Sequence, residues 1–390
     1  MTSARQSGEA HADATISAET SARVTQLWLT DFRCFEELEV ELAPGLTVLF
    51  GANAVGKTSV LEAVGWAGRA RSFRGVPDAA LVRAGCSEAI LRIEVAEGER
   101  RQLLEVAIRA VGANRVLLNR NRLSRTRDLT GLFRVTVFSP DDLDLVKGGP
   151  AQRRDLLDDL LSALAPRYEA ARGDFERVLR HRNALLRAGI RDDDDRSTLD
   201  VFDEQLVQSG AELVRGRLRL VERLLPVLAT SYVHLAGRES AVEASYVADW
   251  APDPVTSEMV DDVADTLRGA IATRRKQEID RGLTLVGPHR DELRLRLNGL
   301  EARTHASQGE QRSLALALRL AGHHVTAELT GASPVLLLDD VFSELDAARA
   351  DALVRELPPG QTLLTTASVV PPGVEPERRL RIENGTVREP

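Results

Sequence analysis

Residues 46–59 read Leu-Thr-Val-Leu-Phe-Gly-Ala-Asn-Ala-Val-Gly-Lys-Thr-Ser, and the fold turns on how they are taken. The apolar run at 46–50 predicts a strand buried on both faces, and it ends directly on Gly51. From Ser59 to Ala70 the apolar residues fall at 60, 61, 64 and 67, the spacing of a helix that lays one face on a sheet. Strand, glycine-rich loop and helix in that order are the context in which G-x-x-x-x-G-K-[ST] reads as a P-loop. Gly51, Ala52, Asn53, Ala54, Val55, Gly56, Lys57, Thr58 and Ser59 are therefore expected to hold ATP. Backbone N–H groups would curl around the β-phosphate, Lys57 would neutralise the β and γ oxygens, and the Thr58 hydroxyl would ligate Mg²⁺.

A P-loop needs a carboxylate for its metal, placed at the end of a neighbouring buried strand. Val335-Leu336-Leu337-Leu338 running into Asp339-Asp340 supplies it. Asp339 is assigned to Mg²⁺ and Asp340 to the general base for an attacking water. Upstream, Ser307-Gln308-Gly309-Glu310-Gln311 opens a helix, where N–H groups and the helix dipole favour an anion. The same residues also read as a plain serine N-cap with Glu310 closing a capping box. The stretch resembles the signature sequence of ABC ATPases, in which the anion is the γ-phosphate held by the other subunit's P-loop. Ser343-Glu344-Leu345-Asp346 resembles the D-loop that crosses the dimer interface in that class, which implicates Ser343 and Asp346. Where ABC ATPases place a histidine near the γ-phosphate, Thr365-Thr366-Ala367-Ser368 has none, and Asp340 stands where most of the class carry Glu. A slow ATPase used as a switch is the expectation.

Six stretches then make the resemblance specific: LTDFRCFEE at 29–37, GRARSFR at 68–74, VFSPDDLDLVKGGPAQRRDLLD at 137–158, LVGPHRDEL at 285–293, SQGEQR at 307–312 and LLLDDVFSELD at 336–346. In this order they resemble the RecF family, over nearly everything from about residue 24 onward. Arg33, within the first stretch, joins the ATP-binding set. The resemblance implies the head of an SMC-type protein with a short helical arm in place of a long coiled coil. It further implies ATP-dependent homodimerisation, binding to DNA at gaps or single-strand/double-strand junctions, and work with RecR and RecO in loading recombinase. In SMC-type heads the loop matching 138–142 holds a glutamine that senses Mg²⁺; here Ser139 and Asp141 occupy it.

The fold class expected is α/β: a P-loop ABC-type ATPase head with an antiparallel β-subdomain and an inserted helical lobe. Residues 1–22 are expected as a disordered tail, 23–150 and 282–390 as a discontinuous ATPase domain, and 151–281 as the helical lobe. Residues 24–50 read as two strands joined around Arg33–Phe35, and 89–95, 102–110 and 114–119 as strands of an antiparallel sheet. The lobe reads as helices at 151–186, 198–236 with an interruption at Pro226, and from about 260, with 191–196 a solvated charged link. With 43% hydrophobic but 4% aromatic residues, the core must be aliphatic.

The formal net charge of −8 argues against a nucleic-acid partner until its distribution is considered. Arg69 to Arg127 holds thirteen Arg against six acids, and Asn114 to Arg127 holds five Arg and no acid. Arg115, Arg120, Arg122, Arg125 and Arg127 are thus candidate phosphate contacts to DNA. The competing explanation is compositional, since Lys occurs only at 57, 147 and 276. Cys34 and Cys86 sit in no metal-ligand spacing, and no apolar run is long enough to span a membrane, so a cytoplasmic protein without a membrane partner is expected. Two other readings share part of the pattern. The ATPase subunit of a membrane transporter would lack the long insertion between Thr58 and Ser307, and a P-loop kinase would have no use for a second phosphate site.

Overall fold

Alternation of inward and outward residues builds the first hairpin. In β1 (Arg23–Phe32) Val24, Leu27, Leu29 and Phe32 are buried, and in β2 (Phe35–Glu41) Phe35, Leu38 and Val40. The computed structural model describes residues 21–123, 129, 131–252, 255–367, 373–383 and 385–389. The expected tail therefore lies outside the described residues up to residue 20. Ser21 belongs to the fold: it is buried, and its hydroxyl accepts from Ser333 N at 2.9 Å.

The chain leaves the first sheet at Leu42–Gly45, where Pro44 has no N–H to offer a ladder, so β3 (Leu46–Phe50) lies in a different sheet. The single strand expected across 38–50 is thus two. Helix α1 (Lys57–Arg69) follows, and then β4 (Glu88–Glu97), β5 (Arg100–Arg109), β6 (Arg115–Leu118) and β7 (Asn121–Arg122) complete an antiparallel sheet in the order β2-β1-β4-β5-β6-β7.

After β8 (Val135–Phe138) come α2 (Asp144–Lys147), α3 (Pro150–Leu164), α4 (Pro166–Ala188), α5 (Asp193–Ala236), β9 (Val242–Val247) and α6 (Val263–Arg281). Three details depart from expectation. The acidic run at 192–195 is the start of α5: Asp192 caps it by accepting from Asp195 N at 2.9 Å, and acids suit the positive end of a helix dipole. α5 also passes unbroken through Pro226. Pro226 and Glu222, whose carbonyl loses its donor, are both exposed, so water can take the missing bond. The lobe expected to be helical also contains a strand: β9 falls between the expected helices, in a stretch given no element, and pairs antiparallel with β10 (Glu292–Leu297); β11 (Leu300–Glu301) completes that three-stranded sheet.

The remainder is α7 (Ala302–His305), α8 (Gln308–Thr330), β12 (Val335–Asp339), α9 (Ala347–Glu356), β13 (Thr362–Thr366), β14 (Arg378–Glu383) and β15 (Thr386–Arg388). The central sheet runs β15-β14-β3-β13-β12-β8, parallel from β14 through β8. Its inner strands are buried on both faces, which is why they read as continuous apolar runs. On one face α1 fills the space beneath the antiparallel sheet, with Val60, Leu61, Val64 and Trp66 against Leu27, Leu29 and Ile93. On the other, α8 and α5 share a core with the sheet through Leu314, Leu318, Leu218 and Leu336. A satellite core at Phe175, Leu206, Leu267 and Ile271 joins α4, α5 and α6. In an open parallel sheet the crevice at the carboxyl ends of the strands is where ligands bind, and β3 and β12 both end there.

Candidate functional site

The turn after β3 depends on two glycines. Gly51 has φ 153° and an added Cβ would stand 2.4 Å from the Ile382 carbonyl oxygen; Gly56 has φ 107° and its Cβ would meet the Cys34 sulfur and the Phe35 ring at 2.6 Å. Gly56 is the N-cap of α1, which has no side-chain cap and no acid in its first turn. The first N–H groups of this helix are thus left for an external acceptor. Lys57 Nζ donates to the carbonyls of Gly51 at 2.8 Å and Ala52 at 2.7 Å. Burial lowers the Lys57 pKa, while the nearby Asp340 and Asp339 carboxylates act in the opposite sense.

Register brings the acids to the same place. Asp339 pairs with Thr365 on β13, and Thr366 pairs with Phe50 on β3, so β13 lies between the P-loop strand and the acidic strand. Thr58 Oγ1 and Thr365 Oγ1 each donate to Asp339 Oδ1 at 2.8 Å. Burial raises the Asp339 carboxyl, and the Thr365 and Thr58 hydrogen bonds work against that rise. Asp340 takes a left-handed backbone (φ 49°), its N–H donates to Thr365 Oγ1 at 2.9 Å, and its buried Oδ1 has no hydrogen-bond partner among the described residues. Thr365 therefore holds the Asp339 carboxylate and the Asp340 backbone. The sequence motifs single out a missing histidine at this position rather than the threonine, whose signal is a hydroxyl at the end of the strand next to the acidic one.

These groups line an open cleft of about 700 Å³ that includes Asn53, Ala54, Gly56, Ser59 and Arg33. Arg33 borders it but is committed elsewhere: Nε and NH2 pair with the fully buried Glu62 at 2.8 and 2.7 Å, and NH1 donates to the Ala80 carbonyl at 2.8 Å. Ser72 Oγ donates to the same carboxylate at 2.5 Å. Arg74, which the sequence reading did not single out, also lines the cleft, has no ion pair among the described residues, and helps hold the Asp339 carboxyl down. A Thr hydroxyl, one or two carboxylates and room for phosphate oxygens suit Mg²⁺, which is held without an all-protein cage. No group of three or more His, Cys, Asp or Glu side chains placed to hold a metal ion occurs among the described residues. A separate cavity of about 380 Å³ between the end of α1, β8, α3 and α4 is lined by none of the residues expected to hold ATP or Mg²⁺.

Ser307 to Gln311 do not line the cleft. Ser307 is the N-cap of α8 with a complete capping box: its hydroxyl accepts from Glu310 N at 3.4 Å and its N–H donates to Glu310 Oε2 at 2.7 Å. Gln311 Nε2 donates to the carbonyls of Ala302 and Arg303, and Gln308 is exposed. Ser343 Oγ donates to the Asp340 carbonyl at 2.8 Å, and Asp346 caps α9 by accepting from Arg349 N at 2.9 Å. The loop at 138–142 turns toward α8 through Asp142, which pairs with Arg319 at 2.7 Å, while Asp141 is exposed.

Much of the arginine-rich region is neutralised by Arg83–Asp31, Arg92–Glu105 and Arg101–Glu94 and by Arg69 and Arg71 on Asp159. Arg115, Arg120 and Arg122 are exposed on the β6–β7 hairpin with no ion pair among the described residues. Arg125 and Arg127 lie outside the described residues. No helix among the described residues is long and apolar enough to cross a membrane.

Comparison with known proteins adds independent findings. The RecF/RecN/SMC N terminal domain family model matches residues 23–363. The DNA replication and repair protein RecF of Streptomyces avermitilis is 44% identical over 373 residues, covering 93% of this chain and 99% of that protein. RecF of Frankia alni is 45% identical over 356 residues, 89% of this chain and 93% of its own. Among solved structures, the recombination mediator protein RecF with ATP in the RecFOR pathway superposes with a TM-score of 0.86 at 28% identity, over 95% of this chain and 99% of that one. An Smc head domain from Pyrococcus furiosus shares the fold at a TM-score of 0.55 and 14% identity, over 94% of this chain and 95% of that one.

Proposed function

Given that the chain belongs to the RecF family of DNA replication and repair proteins, SMC-like ATPases that bind ATP, we propose that it works as an ATP-driven dimer that marks gapped DNA for recombinational repair. Two copies close over two nucleotides, each held by the P-loop of one subunit and the signature turn of the other. The observation that carries this reading is the split between the two halves of the site. Lys57, Thr58, Asp339, Asp340 and Thr365 share one cleft, while Ser307–Gln311 lie outside it in the same chain.

In this mechanism Lys57 leaves the carbonyls of Gly51 and Ala52 for the β and γ oxygens of ATP, and the uncapped N-terminus of α1 receives the β-phosphate. Mg²⁺, when held by Thr58 and Asp339, neutralises phosphate charge. The free Oδ1 of Asp340 orients and deprotonates the attacking water. The aspartate is one methylene shorter than glutamate and no histidine stands at the end of β13, so hydrolysis is slow and resets the dimer. The exposed arginines of the β6–β7 hairpin supply phosphate contacts, with RecR and RecO as the partners that load recombinase. The test is solution mass by light scattering with and without ATP and gapped DNA. The parent should double its mass with ATP, and Lys57→Ala should remain a monomer. A Lys57→Ala protein that dimerises on ATP would remove the P-loop from the account.

A further inference from the structure

Gly309 in the signature stretch has no unusual φ, so backbone freedom does not explain it. Space does. A Cβ there would stand 2.6 Å from a guanidinium nitrogen of Arg349, which lies over the first turn of α8. Arg349 comes from the first turn of α9, just beyond the D-loop. Its Nε donates to Ser313 Oγ at 3.0 Å, and its NH1 pairs with Asp346, the α9 cap. A second brace runs the other way: Arg312 of α8 pairs with Glu344 of the D-loop at 2.6 Å and also donates to the Glu344 carbonyl.

Guanidinium groups at the positive end of a helix are electrostatically unfavourable. Here they are held in place by the D-loop acids Asp346 and Glu344 and by Ser313, on α8 just beyond the signature stretch. Arg349 thereby ties the signature turn to the D-loop, and we propose that it is the positioning residue that makes these two motifs a single rigid unit, presented to the nucleotide held by a second copy of this chain. The planar fork suits the task, because one group packs on Gly309, reaches Ser313 and pairs with Asp346 at once, which a lysine cannot do. The inference rests on the composite-site reading.

Arg349→Ala and Arg349→Lys should both leave ATP binding by the separated subunit unchanged and raise the ATP concentration for half-maximal dimerisation by about ten- to a hundredfold, the scale at which small misplacements are felt. Gly309→Ala, which displaces the guanidinium without removing it, should do the same, and guards against an Arg349 variant that fails to fold. ATPase assays of mixed dimers separate a trans role from general weakening. Arg349→Ala subunits mixed with Asp340→Asn subunits retain one site with intact Asp340 and an intact facing Arg349, so activity returns. With both changes on one subunit and a parent partner, neither site is intact and activity stays low. The reverse pattern, or Arg349→Ala dimerising at the parent's ATP concentration, overturns the inference while leaving the composite site standing. A parent protein that stays monomeric with ATP overturns the composite-site reading itself.

Discussion

Replacing Arg33 with Ala separates two roles that the sequence left joined. In the structure its guanidinium makes a two-pronged pair with Glu62, whose side chain is fully buried on α1. Removing one partner of a buried ion pair strands the other charge, a loss of about 3–5 kcal/mol. Arg33 is 19% exposed and Ser72 still donates to Glu62, so the lower end, about 3 kcal/mol, applies. For a chain of this length that corresponds to roughly 4 °C in melting temperature, from an unfolding entropy proportional to size. Melting should be followed by circular dichroism without nucleotide, alongside ATP affinity. Arg33→Ala should melt lower without ATP present, and adding Glu62→Gln should restore part of the loss by removing the stranded charge. Unchanged melting with weakened ATP binding would show that Arg33 acts by direct nucleotide contact and not through Glu62.

Two further outcomes follow from charge. Replacing Arg115, Arg120 and Arg122 with Ala should weaken DNA binding and lower its salt slope by about one unit per lost phosphate contact, measured by anisotropy across a salt series; an unchanged slope would mark the hairpin arginines as composition only. His323 is fully buried beside Thr136 and Ser333, and burial lowers its pKa to about 3 from 6.5. A histidine depressed on folding stabilises above its unfolded pKa and loses that contribution as pH falls, so between pH 6.5 and 4 it should cost about 1.4 kcal/mol per pH unit. His289, at about 4, adds the same sign, and Asp291, raised to about 6, the opposite. Comparing parent with His323→Gln by urea unfolding at each pH isolates the His323 share, and parallel curves would contradict it.

The parts of the site that the sequence revealed are those built from local geometry. A P-loop announces itself because strand, glycines and helix are contiguous, and Asp339 because a buried parallel strand ends on it. What escaped depends on strand register and side-chain reach. Thr365 matters only because β13 lies between β3 and β12 with Asp339 opposite it, and Arg74 only because the segment after α1 returns to the cleft. The same limit explains the fold's departures. Pro226 looked like a helix break, but the bond it forfeits faces water. The apolar stretch around Pro44 looked like one strand, but a residue without an N–H let the chain change sheets. β9 lay hidden in a helical neighbourhood because its partner is β10, some fifty residues later.

The central claim is that each nucleotide is shared between two copies, and the ATPase activity of mixed subunits tests it most directly. Ser307→Arg blocks the signature turn of its own subunit, and Asp340→Asn removes the base from its own cleft, so each homodimer should be nearly inactive. Mixed, one site is spoiled twice and the other keeps both Ser307 and Asp340, so activity should rise toward half the parent's in the mixed dimer. A Ser307→Arg protein that dimerises and hydrolyses ATP like the parent would show that Ser307 only caps α8, and would contradict the shared site.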